Sequence, residues 1–146
     1  HPDAGIATLC APVREAETFF DPHCVKVVRD RAGYALYFSR APIPFDRDEF
    51  ASGSSVLPQG VPHLRHIGLY AYRAAYLRTY RSWAASPIEQ SEMLEQLRAL
   101  WMGTRIYVGD APVLPGPGVD TPEDLARVEA LLGEESGVRS QSRRSD

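Results

Sequence analysis

Residues 25–40 read VKVVRDRAGYALYFSR, and this stretch decides the fold class. A β-branched run at 25–30 is followed by a glycine-containing turn at 31–33 and by an aromatic run at 34–40. Two strand-forming runs joined by a short turn of this kind predict a β-hairpin. At least part of the sheet is therefore antiparallel.

Strand and helix patterns alternate around that hairpin. Apolar runs predict three further strands, at 5–13, 66–73 and 105–109, the first two of them buried. Helical spacing predicts three helices, at 74–83, 86–103 and about 122–132. The Pro- and Ser-rich segment 41–62 predicts an exposed loop with one helical turn at 46–51. Together these patterns predict an α/β fold, a mixed sheet with flanking helices.

The segment 86–103 carries a full set of helix signals. Ser86 is the predicted N-cap, Pro87 takes the first helical position, Glu89 completes a capping box and Gly103 ends the helix. The apolar residues at helical spacing, expected to face the core, are Ile88, Met93, Leu94, Leu97, Leu100 and Trp101. We therefore predict one continuous helix.

Composition excludes several classes of partner. The 146 residues are 44% hydrophobic and carry a formal net charge of −3, which fits one globular core without a basic surface for nucleic acid. No apolar run approaches the roughly 20 residues of a membrane-spanning helix, and residues 1–9 lack a signal-peptide pattern. We expect no nucleic-acid or membrane partner and a cytoplasmic location. Cys10 and Cys24 either pair or stay free; they match no metal or redox spacing, so we expect buried free thiols.

A few polar side chains occupy positions where the pattern predicts core. His66 and Tyr70 lie four apart on one predicted strand, on one face, and either bind one ligand together or are satisfied structural groups. Arg40 ends a predicted strand and is either a ligand-binding group or an ordinary surface charge. Glu95 and Gln96 lie in mid-helix, where a solvated face is the alternative.

The segment 116–132, GPGVDTPEDLARVEALL, places an acidic residue directly before a helix. In one interpretation Asp120 or Thr121 caps the helix and Pro122 begins it. In the other, Asp120 binds a metal ion. No glycine-rich phosphate loop with a lysine is present in the sequence. The composition of 134–146, with almost no apolar residues, predicts a disordered tail.

Four blocks, in order along the chain, carry a family resemblance: VKVVRDRAGYALYFSRAPIPFDRD, HIGLYAYR, SPIEQSEMLEQLRALWMG and PGPGVDTPEDLARVEALL. From about residue 5 to about residue 132 the sequence resembles the C-terminal part of the 3-deoxy-manno-octulosonate (Kdo) cytidylyltransferase family, also called CMP-Kdo synthetase. The resemblance implies a Rossmann-like nucleotidyltransferase fold, with residues 1–133 as the C-terminal part of a single domain. The family's N-terminal CTP-gripping loop and its Gln-Gly-Asp-Glu-Pro segment have no counterpart here, so we expect that nucleotide-binding part to be absent.

The resemblance also implies a reaction, in which CTP and Mg²⁺ convert Kdo to CMP-Kdo and pyrophosphate for lipopolysaccharide biosynthesis, in a homodimer. By the same resemblance Arg40 would pair with the Kdo carboxylate or a neighbouring sugar oxygen. Asp120 would be the catalytic residue that binds Mg²⁺. The residues implied to hydrogen-bond the sugar hydroxyls are His66, Tyr70, Glu95 and Gln96.

Two other functions stay open at the level of sequence. The chain is alternatively a non-catalytic binding or dimerisation module derived from the family, pairing through the exposed edges of its hairpin. It is alternatively part of a cytidylyltransferase for a related acidic sugar, such as a sialic acid.

Overall fold

The computed structural model describes residues 3–51, 53, 56–113, 125–126 and 128–130. The chain divides into two units, residues 1–112 and 113–146, and all the elements named below lie in the first. In chain order they are β1 (Ile6–Pro12), α1 (Ala16–Phe20), β2 (Lys26–Arg29), β3 (Ala35–Ser39), α2 (Arg47–Ala51), β4 (Leu64–Tyr72), α3 (Ala74–Tyr80), α4 (Pro87–Glu92), α5 (Gln96–Trp101) and β5 (Ile106–Asp110).

Five strands form one mixed sheet in the order β3-β2-β4-β1-β5. The inner strand β1 runs antiparallel to β4 and parallel to β5, so that Ile6 lies between Tyr72 and Ile106. A parallel neighbour requires a long crossover, and here it runs through every element from α1 to α5. The predicted α/β fold with a mixed sheet is confirmed.

The predicted hairpin is confirmed as β2 and β3, which pair antiparallel. Asp30 closes its turn, because one carboxylate oxygen accepts from the backbone N–H groups of Ala32 and Tyr34. Gly33 follows with a φ of +85°, a conformation that favours glycine. The turn reaches β5, where the Val108 amide donates to the Gly33 carbonyl at 2.8 Å.

The prediction of one helix over 86–103 is wrong, although its start is right. Ser86 and Glu89 form the predicted capping box, with Pro87 in the first turn. The helix then ends at Met93, which takes the left-handed conformation (φ 53°, ψ 48°), and α5 starts three residues later. At this break the Glu92 carboxylate accepts tertiary hydrogen bonds from the end of β3.

The break also changes which apolar residues face the core. Leu94 and Leu97 are buried, as predicted. Met93 and Trp101 are instead 73% and 58% exposed, because the left-handed residue interrupts the helical periodicity on which the prediction rested. The predicted stripe is therefore only partly a core stripe.

Strand β4 is confirmed, but its predicted burial is wrong. Its first residue, Leu64, is buried, whereas Leu69 and Tyr72 are 64% and 44% exposed. β2 pairs with β4 at a single position, Lys26 opposite Arg65, so β1 is the strand that follows β4 along its length.

The core has two parts. The main cluster lies between the sheet and α5, and its buried members are Ile6, Cys10, Val27, Phe38, Leu64, Leu94, Leu97, Ala99, Ile106 and Val108. A smaller cluster of Val13, Phe19 and Phe50 packs α1 against α2, the helical turn predicted within the 41–62 loop. Both cysteines are free thiols as expected, but only Cys10 is fully buried and Cys24 is half-buried.

Some predictions fall on the second unit. Residues 125–126 and 128–130 are helical and lie within the helix predicted at about 122–132. Asp120, the remainder of that helix and the predicted tail at 134–146 lie outside the described residues.

Candidate functional site

His66 lies on β4 opposite Cys10 of β1, and its imidazole Nε2 is 2.9 Å from the Thr8 hydroxyl. That hydroxyl directs its one proton toward the backbone carbonyls of Ile67 and Leu69, at 3.0 and 2.9 Å. When the hydroxyl proton goes to one of these carbonyls, Nε2 donates to Thr8 and Nδ1 is left as an acceptor. Burial lowers the pKa of His66 to about 4, so the ring is neutral at pH 7.

Tyr70 lies on the same side of the strand as His66, with ring centroids 5.3 Å apart, as the spacing predicts. Its hydroxyl oxygen is buried and has no hydrogen-bond partner among the described residues. Burial raises the pKa of Tyr70, and the neighbouring Tyr72, Glu95 and Tyr80 raise it further. The hydroxyl is thus a neutral donor directed into the protein without an acceptor, which is unusual unless a water or a ligand supplies one.

The helix break brings Glu95 and Gln96 to the start of α5. Glu95 is exposed, its backbone carbonyl accepts a hydrogen bond from the Tyr80 hydroxyl at 3.0 Å, and its charge acts on Tyr70. Gln96 is buried, so the alternative of a solvated helix face is wrong for it. His66, Tyr70 and Glu95 are thus neighbours in the fold, with Gln96 next along the chain.

Arg40 follows β3 and is half-buried, so it is not an ordinary surface charge. Its Nε donates to the Glu92 carbonyl at 2.7 Å, and Nη1 donates to the Pro22 carbonyl at 3.0 Å. Phe38, two residues earlier, meets the His66 ring edge-on at 5.0 Å. Arg40 therefore lies two residues along the chain from the buried ring that contacts His66.

Sequence reasoning missed two residues that hold this region together. Glu92 accepts hydrogen bonds from the Ser39 hydroxyl at 2.6 Å and from the Arg40 amide at 2.9 Å. Lys26 is fully buried, and its ammonium donates to the carbonyls of Asp21, Cys24 and Arg40. Burial lowers the pKa of Lys26. The sequence did contain a signal for Lys26, because a lysine inside an apolar strand is unusual. It contained none for Glu92, which looks like any other polar residue of the predicted helix.

The predicted metal ligand, Asp120, lies outside the described residues. Within the described residues, no three His, Cys, Asp or Glu side chains lie close enough together to hold a metal ion. In the same part of the chain, no helix has both the length and the apolar character that crossing a membrane requires.

Comparisons with known proteins agree with one another. The family model described as "Cytidylyltransferase" matches residues 2–106. Two curated relatives are named 3-deoxy-manno-octulosonate cytidylyltransferase. The one from Alkalilimnicola ehrlichii is 58% identical over 92% of this chain, and the one from Pseudomonas fluorescens is 56% identical over 91%.

A solved structure has a fold similar to that of this chain. It is named CMP:2-keto-3-deoxy-manno-octonic acid synthetase complexed with CTP, and it is 40% identical with a TM-score of 0.78 over 92% of this chain. This chain covers 52% of each curated relative and 51% of the solved chain. It therefore spans about half the length of the proteins it matches.

Proposed function

Because this chain belongs to the cytidylyltransferase family, we propose that it forms the sugar-binding part of an enzyme that makes CMP-Kdo and pyrophosphate from CTP and Kdo. The observation that best supports this proposal is the 58% identity, over 92% of the chain, to a protein named for this activity. In the reaction the anomeric hydroxyl of Kdo attacks the α-phosphorus of CTP, the new oxygen–phosphorus bond forms, pyrophosphate leaves and the hydroxyl proton is lost. The product would enter lipopolysaccharide biosynthesis.

The chemistry of the described site supports a polyhydroxylated acid as the ligand. His66, whose ring is neutral, and Tyr70, whose buried hydroxyl has no partner among the described residues, are proposed to bind sugar hydroxyls. The exposed Glu95 adds an acceptor beside them. The fork of the Arg40 guanidinium suits a planar carboxylate.

Asp120 is proposed to bind Mg²⁺ as one of a pair of carboxylates, since magnesium prefers hard oxygen ligands. The bound ion would neutralise charge that develops on the phosphate oxygens. In the protein extended upstream to the length of its relatives, we expect Asp120→Asn to lower Mg²⁺-dependent turnover by at least about a hundred-fold without changing the thermal midpoint. The matched control is Asp124→Asn, four residues further along, which should retain activity. Near-parent turnover in Asp120→Asn would contradict the metal role.

The decisive experiment measures pyrophosphate release from CTP with Kdo and Mg²⁺, in the extended protein and in the 146-residue chain alone. Release only from the extended protein supports the proposal. A sialic acid in place of Kdo should give no release, and a preference for it would instead favour the related-sugar enzyme. No release from either protein, with either sugar, would favour the non-catalytic module. We also expect a homodimer, which light scattering of the extended protein would test.

A further inference from the structure

We propose that Glu92 is a positioning residue, which sets Arg40 for the sugar acid. This inference rests on the proposed function. Glu92 ends α4 and is half-buried. Its two carboxylate oxygens accept from different groups at the end of β3, the Ser39 hydroxyl at 2.6 Å and the Arg40 amide at 2.9 Å.

Glu92 holds Arg40 at more than one atom. Besides the amide bond, the Glu92 backbone carbonyl accepts from Nε of the Arg40 guanidinium at 2.7 Å. Lys26 fixes the Arg40 carbonyl from the other side at 2.6 Å, and Nη1 is bound to Pro22. Within the described residues these bonds use Nε and Nη1, and Nη2 remains for a ligand. Nε and Nη1 lie on different edges of the guanidinium, so the group is held at two atoms and Nη2 is the donor left open.

The same residue begins the chain reversal that leads to Glu95. Met93 and Leu94 both donate their amides to the Glu89 carbonyl, so residues 92–94 form a fixed turn. Beyond the turn, the Tyr80 hydroxyl holds the Glu95 carbonyl at 3.0 Å. Glu92 therefore lies between the two groups of predicted sugar contacts, and it is bonded to one of them.

A carboxylate is required at this position because both of its partners in β3 are donors. A glutamine amide would turn its NH₂ group toward the Arg40 N–H, losing that bond, or toward the Ser39 hydroxyl, which would then have to accept instead of donate. In either orientation the bonds to a charged carboxylate become weaker neutral ones. An aspartate is one methylene shorter and would not reach both partners from the same backbone position.

The test compares Glu92→Gln, Glu92→Asp and a matched structural control, Glu89→Gln, in the extended protein. Glu89 is a buried carboxylate on the same helix, bonded to Arg98 and to the cap at Ser86, so its loss lowers stability without touching the predicted sugar contacts. We expect Glu92→Gln to raise KM for Kdo about ten-fold with KM for CTP within about two-fold. Glu92→Asp should lie between the parent and Glu92→Gln.

A second measurement, amide hydrogen exchange, does not depend on enzymatic activity. Amide hydrogen exchange at Arg40 in the 146-residue chain should accelerate about ten-fold in Glu92→Gln, because the bond that protects this amide is weakened. In Glu89→Gln the same amide should exchange as in the parent.

The outcomes separate this inference from the proposed function. An active parent whose Glu92→Gln raises both KM values equally, or only lowers the thermal midpoint as Glu89→Gln does, overturns the role of Glu92 alone. Unchanged Arg40 exchange in Glu92→Gln overturns it as well. A parent that releases no pyrophosphate from CTP and Kdo refutes the proposed function, and this inference with it.

Discussion

At the scale of single residues, burial makes His66 a neutral hydrogen-bonding group. Its pKa is about 4, below the ordinary value of 6.5, so between these two pH values the unfolded chain binds a proton that the folded chain does not. Stability is therefore highest above pH 6.5 and falls as the pH drops toward 4. A shift of this size corresponds to about 3 kcal/mol when fully expressed.

We expect His66→Gln to remove that part of the pH dependence. The measurement is the free energy of unfolding by urea at pH 7, 5.5 and 4.5, with the parent and variant compared at each pH. Because burial also lowers the pKa of His63, the parent profile contains both contributions and only the difference isolates His66. The control is His23→Gln, on an exposed turn, which should give a curve parallel to the parent. A His66→Gln curve as steep as the parent's would contradict the assignment.

The sequence identified single residues better than it identified their partners. His66 and Tyr70 were predicted to share a face because side chains on a strand repeat every two residues, and their rings do meet. The bonds that hold Arg40 join residues 52 positions apart in the chain. Local patterns contain no information about such pairs, so Glu92 and Ser39 could not be found in this way.

At the scale of elements, the break between α4 and α5 is a place where tertiary hydrogen bonds override local helix propensity. The residues around it form helices well, and the capping box at Ser86 was predicted correctly. The turn at Met93 costs strain, since a side chain in the left-handed region is unfavourable by roughly 1–2 kcal/mol. The tertiary bonds of Glu92 offset that strain, and no propensity scale includes them.

Replacing the left-handed residue by glycine should therefore stabilise the protein. We expect Met93→Gly to raise the free energy of unfolding by about 0.5 kcal/mol, because strain is relieved and Met93 is 73% exposed, so little packing is lost. Met102→Gly is the control, since Met102 ends α5 with a negative φ and has no strain to relieve. It should lower stability by about 0.5–1 kcal/mol. Equal losses in both variants, measured by urea unfolding, would refute the account of the break.

At the scale of the whole unit, the turn of the hairpin is held against the opposite edge of the sheet. Arg29 donates to the Val108 carbonyl at 2.8 Å and pairs with Asp110 at 2.7 Å. Gly33 lies against the Tyr107 ring, where an added Cβ would come within 2.8 Å of a ring carbon. The sequence predicted the hairpin and β5 separately, but not that one contacts the other.

Gly33→Ala tests this contact. Gly60 has nearly the same φ, +86° against +85°, but open space around it among the described residues, so Gly60→Ala measures the backbone cost alone. We expect Gly33→Ala to lower the free energy of unfolding by about 1–2 kcal/mol more than Gly60→Ala, because the ring must shift. Thermal or urea unfolding of both variants gives the difference. Equal losses would mean that the turn does not pack against β5.

The position of β1 inside the sheet has a consequence for synthesis of the chain. Thr8 meets His66 58 residues later, and Cys10 meets Asp110 100 residues later. At the ribosome's rate of about 5–20 residues per second, β1 leaves the exit tunnel some 5–20 seconds before its parallel neighbour is complete. Sheets closed by such distant pairings also fold slowly, over milliseconds to seconds. Until β4 and β5 are made, the edges of β1 lack their sheet partners, so this apolar strand is a segment that a chaperone can bind during synthesis.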